Sequence, residues 1–256
     1  MPTIEYLSPS VPVSMTDHWF AIATTGHFWI RRRFEVFQTL AGSLLENSHQ
    51  IAEIGCGHGL VQRQIEEAYN REVTGFDLNE SALRQNQSRR SSIFCYDICQ
   101  MSPQFRQRFD FIVMFDVLEH IDDEDRFLQA AKFHLATNGY LAINVPAGQW
   151  IYSAYDRAAG HKRRYSIRAL RNAARRNGYE VTKWTYWGFP LLPLAVLRKL
   201  LLARSQDEQS TISTGFDSRS ETMNTLLRGL SRCELIPQKL LGASLMALLT
   251  RNVQLP

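Results

Sequence analysis

From residue 51 the chain alternates short apolar runs with longer stretches of helical spacing. Ile51, Ala52 and Ile54 make the first run, and Glu72-Val73-Thr74-Gly75-Phe76 the second. Ser92-Ile93-Phe94-Cys95-Tyr96 is the third. The fourth, from Phe109 to Phe115, is almost wholly apolar, as expected of a strand covered on both faces. Tyr140 to Val145 and Tyr179 to Trp187 are the fifth and sixth. Helical spacing follows Leu60, and Asn79 caps a helix reaching about Ser88. Asp123 to Leu135 reads as a helix stopped by Asn138-Gly139; Ser166 caps another through about Arg176, ended by Gly178. Strand and helix in this alternation predict a doubly wound α/β sheet.

The flanks differ. Residues 1–15, rich in Pro, Ser and Thr, read as an extended arm or disordered tail. Asp17 to Leu45 is expected to be mostly helical, and its aromatic clusters, Asp17-His18-Trp19-Phe20 and Gly26-His27-Phe28-Trp29, suggest a cap over a site. Beyond Gly188 a Leu- and Pro-rich segment, a polar stretch at 204–220 and an amphipathic helix from Glu221 to Leu235 precede an apolar run from Ser244 to Thr250. The expectation is a single domain: arm and helical cap over 1–48, core over 49–188, helical insertion over 189–241, last strand and tail over 242–256.

A chain of 256 residues with 45% hydrophobic and 21% charged residues can bury a full core. Its net charge of +4 is too mild to call for nucleic acid. Cys56, Cys95, Cys99 and Cys233 contain no CxxC pair, which argues against metal ligation or a disulfide framework and for a reducing, cytoplasmic setting. No basic-then-apolar leader pattern opens the sequence, and no apolar run is long enough to span a membrane. Segment 189–202 is expected to form a lid or a homodimer face, with contact to a membrane surface as the remaining alternative.

The first strand runs straight into Gly55-Cys56-Gly57-His58-Gly59. Three glycines at a strand-to-helix junction let backbone turn tightly and approach a ligand closely. The second strand ends at Asp77, where a carboxylate accepts both hydroxyls of a ribose in a nucleotide-binding βαβ unit. Glu53 within the first strand and Asp97 after the third complete a row of acids along one sheet edge, costly if it were only packing. A nucleoside-type cofactor follows from the combination.

At Phe115-Asp116-Val117-Leu118-Glu119-His120-Ile121 the pattern becomes specific. Together with EIGCGHG, FDLNE and YDI it resembles the class I S-adenosylmethionine-dependent methyltransferases. The resemblance implies a Rossmann-like seven-stranded sheet with its last strand antiparallel, S-adenosylmethionine as cofactor and no metal. It implies that Gly55, Cys56 and Gly57 line the methionine and ribose. Asp77 holds the ribose hydroxyls with Leu78 against adenine, and Asp97 accepts from the adenine amine beside Ile98. Phe115, Asp116 and Val117 form the wall near the sulfonium. A second segment, from Asp156 through Gly160-His161-Lys162-Arg163-Arg164-Tyr165-Ser166, is similar to the GHxRRYS element of a bacterial subgroup that acts on small molecules. That subgroup's HFWFxxRR-like element matches His27 to Arg33, which would set Trp29 and Arg33 over the cofactor, Arg33 near its carboxylate.

His161 and His120 are the candidate general bases for an acceptor hydroxyl or amine, each weighed against a purely structural role. The basic run from Arg157 to Arg176 reads mostly as helix surface, with a subset open to an anionic acceptor group. Three competing functions stay on the table: an NAD-dependent oxidoreductase, a nucleic-acid methyltransferase and a non-catalytic binder. The oxidoreductase lacks the sixth-position glycine, where Leu60 stands. The nucleic-acid enzyme lacks an Asn/Asp-Pro-Pro-aromatic tetrapeptide after the fourth strand. A small-molecule acceptor is the expected partner.

Overall fold

The computed structural model describes residues 3–11, 24–201 and 220–252. Its eight-stranded sheet is built from β1 (Ile4–Tyr6), β2 (Ile51–Ile54), β3 (Val73–Asp77), β4 (Ile93–Cys95), β5 (Phe109–Phe115), β6 (Leu135–Pro146), β7 (Tyr179–Trp187) and β8 (Ser244–Arg251). The order across the sheet is β1-β4-β3-β2-β5-β6-β8-β7. Strand β8 runs antiparallel to both its neighbours, and the other pairings are parallel. The helices are α1 (Phe28–Glu46), α2 (Leu60–Tyr69), α3 (Glu80–Arg84), α4 (Glu124–His134), α5 (Ala154–Ala158), α6 (Ile167–Arg176), α7 (Leu192–Leu201) and α8 (Glu221–Ser231). None is long and apolar enough to cross a membrane.

The period of two along β5 divides the core. Ile112 and Met114 face a cluster with Leu128 of α4 and Leu170 of α6. Phe111, Val113 and Phe115 face the opposite cluster, with Phe37 of α1 and Ile65 of α2. Buried Ile30, Phe34, Phe37, Ala41 and Leu45 recur at helical spacing along α1, and His27 caps it by accepting from Trp29 N at 3.3 Å. Phe37 meets Phe111 and Phe115 edge-on at 5.9 and 5.2 Å between ring centres.

The strands expected at 51–54, 109–115 and 179–187 and the caps at Asn79 and Ser166 lie where the pattern put them, and Asp123, the expected start of a helix, caps it. The sheet has eight strands, not seven, because residues 4–6 of the arm pair in parallel with β4. Ile4 packs on the Cys56, Leu83, Ile93 and Cys95 cluster. Helix α3 stops at Arg84, short of Ser88, since the chain turns there to let Asn86 bond Gln62. Strand β6 starts at Leu135 and runs through Asn138-Gly139, the expected helix stop; a register shift against β5 admits the exposed residues.

The 189–241 region supplies α7 and α8. Helix α8 returns to α1, where Asn224 Oδ1 accepts from Phe28 N at 2.8 Å and its amide donates to Gly26 O. Asp17 to Phe20, expected as part of the cap, lies outside the described residues, as does most of the polar stretch 204–220.

Phe37→Ala is expected to destabilise the fold by about 3–5 kcal/mol, since it empties a fully buried aromatic site. Urea unfolding reads it; a loss below about 1 kcal/mol would contradict the docking of α1 on the sheet.

Candidate active site

The strand order changes direction beside β2, between β3 and β5, the place where open α/β sheets bind ligands. A cavity of about 680 Å³ lies there, at the carboxyl ends of these strands. Every residue singled out above as a site candidate lines it: Trp29, Arg33, Glu53, Gly55 to Gly57, Asp77, Leu78, Asp97, Ile98, Phe115 to Val117, His120 and His161.

The loop between β2 and α2 follows from its glycines. Gly55 has φ of 75°, and a β-carbon there would stand 2.3 Å from Val117 Cγ2. Gly59 has φ of 78°, and its β-carbon would meet Asn86 Oδ1 at 2.4 Å. Asp77 closes the loop from β3: its carboxylate accepts from Gly57 N at 2.7 Å and from Asn79 N at 2.8 Å. Burial raises the Asp77 carboxyl above its ordinary value, against the pull of these backbone donors. Burial, followed by the Asp77 charge, pushes the Cys56 thiol well up, so this position offers backbone and volume and no thiolate. Asp97 Oδ1 accepts from Cys99 N at 2.9 Å, and Asp97 N donates to Ser8 Oγ, which brings the arm to the rim.

Arg33 of α1 reaches down to Asp116, Nη1 to Oδ2 at 2.5 Å, and lies over the Phe115 ring at 5.2 Å. Asp116, in the left-handed region at φ of 56°, also accepts from Asn144 Nδ2 at 2.7 Å; Asn144 Oδ1 accepts from Trp187 Nε1 at 2.8 Å. Trp29 stacks obliquely on Trp187, centres 4.3 Å apart. Two buried polar atoms on this wall have no hydrogen-bond partner, Arg33 Nε and Glu53 Oε2. Burial holds the Glu53 carboxyl well above its ordinary range, with the Arg33 charge pulling the other way.

The opposite wall is organised by Asp156. Its Oδ2 accepts from Ser153 N at 2.8 Å in the capping box of α5. Its Oδ1 accepts from Arg164 Nε at 2.7 Å and stands 3.0 Å from His161 Nδ1. Burial alone would raise this carboxyl; the His161 hydrogen bond and then the Arg164 charge outweigh it and lower it to about 2. Held by Nδ1, His161 has Nε2 3.9 Å from Glu119 Oε1, and its ring meets His120 edge-on at 4.9 Å. His120 Nδ1 is 3.2 Å from Gly160 O, and burial followed by the nearby His161 lowers His120 to about 4.

Sequence reasoning missed Glu119, Asp156 and Arg164. Arg164 belongs to the basic run expected to be mostly helix surface with a subset open to an anionic group; it is buried and bonds Asp156, while Arg157, Arg168, Arg175 and Arg176 are exposed as expected. The Ser153-x-x-Asp156 capping spacing was the available signal for Asp156.

This geometry agrees with the comparisons. Residues 27–183 match the methyltransferase-domain family. The chain is a class I methyltransferase. Over 147 residues it is 26% identical to a probable S-adenosylmethionine-dependent methyltransferase of Mycobacterium tuberculosis, covering 57% of this chain and 52% of that protein. Over 119 residues it is 27% identical to the ubiquinone biosynthesis O-methyltransferase of Coxiella burnetii, covering 44% and 46%. The chain thus spans about half the length of the curated relatives it matches. A SAM-dependent methyltransferase from Archaeoglobus fulgidus shares the fold with a TM-score of 0.53, at 16% identity over 86% of this methyltransferase and 94% of that one.

Gly55→Ala is expected to cost roughly 1–3 kcal/mol through its left-handed backbone, with a further loss from the Val117 clash that Val117→Ala in the same chain relieves. Thermal denaturation of the single and double variants reads both parts. Wild-type stability in Gly55→Ala would show the loop to be unconstrained.

Proposed function

We propose that this methyltransferase moves the methyl group of S-adenosylmethionine to an oxygen or nitrogen of a small-molecule acceptor. One observation carries the reading. The unpartnered donor Arg33 Nε and the unpartnered acceptor Glu53 Oε2 line the same cavity as the strand-end acids Asp77 and Asp97. A zwitterionic amino-acid end complements the first pair, and a nucleoside complements the second.

Bound S-adenosylmethionine supplies an electrophilic methyl group. The protein's part is to hold, orient and shield. Asp77 would take the ribose hydroxyls while it braces the glycine loop. Leu78 and Ile98 would flank the adenine, with Asp97 toward its amine. Gly55, Cys56 and Gly57 would line the methionine, and Trp29, with Phe115 to Val117, would close the reacting end against water.

The acceptor would enter from the far end, where Leu194, Leu197 and Leu201 of α7 and Met223 and Leu227 of α8 line the cavity. An apolar body with one polar handle suits such walls. His161 and His120 would deal with the acceptor's proton, His161 in the tautomer that Asp156 selects.

Calorimetry with S-adenosylmethionine and with NADH tests the cofactor end; only the former should bind. Asp77→Asn, which preserves shape, is expected to weaken that binding by roughly 1.5–3 kcal/mol, the worth of hydrogen bonds to a charged group. Near-native affinity sinks the ribose assignment. His161→Ala should lower turnover by about 100-fold or more while leaving cofactor affinity intact, read by release of S-adenosylhomocysteine over a panel of apolar hydroxyl and amine acceptors. Unchanged turnover would make His161 structural.

A further inference from the structure

Glu119 stands out in the acceptor wall. Its side chain is fully buried, and neither carboxylate oxygen has a hydrogen-bond partner. A buried carboxylate without donors is costly and calls for a cation or a proton. Three side chains converge here: one ligand atom each from Glu119, His120 and His161 lies within 4.8 Å of the others. All three residues line the cavity.

The imidazoles are prepared as ligands. His161 Nδ1 faces Asp156 Oδ1 at 3.0 Å, and His120 Nδ1 faces Gly160 O at 3.2 Å. Each Nδ1 donates its proton to an oxygen, which leaves each Nε2 with a lone pair. A carboxylate or carbonyl behind a ligating histidine is the outer support that fixes tautomer and ring direction at metal centres. Asp156 is itself pinned by Arg164 and the α5 capping box.

We propose that Glu119, His120 and His161 form a site for one divalent transition-metal cation on the acceptor wall. Two imidazoles and a carboxylate suit zinc, manganese, iron or cobalt better than magnesium or calcium. Ligand atoms about 2.1 Å from a shared ion stand about 3.4 Å apart, so the cluster closes by little more than 1 Å through side-chain rotation. Three protein ligands leave positions open on the cavity side for oxygens of the acceptor.

This second part rests on the methyl-transfer reading and sharpens it: the acceptor is an oxygen nucleophile, best with two adjacent oxygens. Ligation lowers the proton affinity of the acceptor hydroxyl, whose proton passes to solvent. The oxygen lone pair then forms the bond to carbon as the sulfur–methyl bond breaks and its electron pair stays on sulfur. His161 holds the cation here instead of taking the proton. The site departs from the metal-free expectation, which rested on cysteine spacing and family resemblance.

Titration of the full chain with Co²⁺, followed by visible absorption, tests the site without reference to turnover. One Co²⁺ per chain with ligand-field bands is expected, and Zn²⁺ should displace it while Mg²⁺ does not. Glu119→Gln and His161→Ala should each weaken Co²⁺ binding by roughly 100-fold, and Asp156→Asn by 10–100-fold. Asp122→Asn, an exposed acid nearby, should leave it unchanged. In the wild-type protein, Co²⁺ should broaden the imidazole NMR signals of His120 and His161 and spare His134, buried in another cluster, so no variant need fold for this reading. Absence of ligand-field bands, or Co²⁺ binding untouched by all three site variants, overturns the site. Full turnover in chelator with S-adenosylmethionine still bound overturns the metal's role and leaves methyl transfer standing. Co²⁺ bound at the triad with no S-adenosylmethionine binding does the reverse.

Discussion

The ion pair from Arg33 to Asp116 joins the helical cap to the sheet. It does not act alone. Asp116 is also held by Asn144, and Asn144 by Trp187, so a single chain of polar contacts runs from α1 through the end of β5 and β6 to β7. Trp29 closes it by stacking on Trp187. Removing one partner would leave the other groups short of a bond; with the Asp116 side chain 30% exposed, the loss is smaller than for a fully buried pair. Trp29, Arg33 and Asp116 all line the cavity, so these contacts form its roof. Asp116 tolerates its left-handed backbone there because its carboxylate and its N–H, bonded to Asn144 O, are both committed.

Below that roof the two walls are built by different means. The wall of the glycine loop is made of strand ends and backbone, with glycines where the chain must pass close and acids where strands stop. The opposite wall hangs on one side chain, Asp156, which collects a serine, an arginine and a histidine. The first wall is sensitive to residue size, since a β-carbon at Gly55 or Gly59 meets a neighbouring side chain; the second depends on one carboxylate keeping its charge.

This contrast explains what was legible in the sequence. Strands β2, β5 and β7, the glycine loop and the caps at Asn79 and Ser166 carry local signals: period, breaker residues and capping side chains within a few positions. The strip from Ile4 to Tyr6 carries none. Three residues cannot display a period, and what makes them a strand is β4, about ninety residues further on. Helix α3 ended early for a similar reason, a long-range bond from Asn86 to Gln62. Arg164 looked like its neighbours in a basic run because charge is visible in sequence and burial is not. Glu119 sat inside a recognised segment, but only the folded chain shows its carboxylate facing two histidines and no donor.

Helices α7 and α8, which line the outer end of the cavity, lie beyond residues 27–183, the part matched by the family. The glycine loop and the strand-end acids lie within the matched part. Helices α7 and α8 lie outside it, and Asn224 ties α8 back to the start of α1 through Phe28 N and Gly26 O. On the proposed reading, substitutions along these two helices change which molecules fit and leave the glycine loop and its acids untouched.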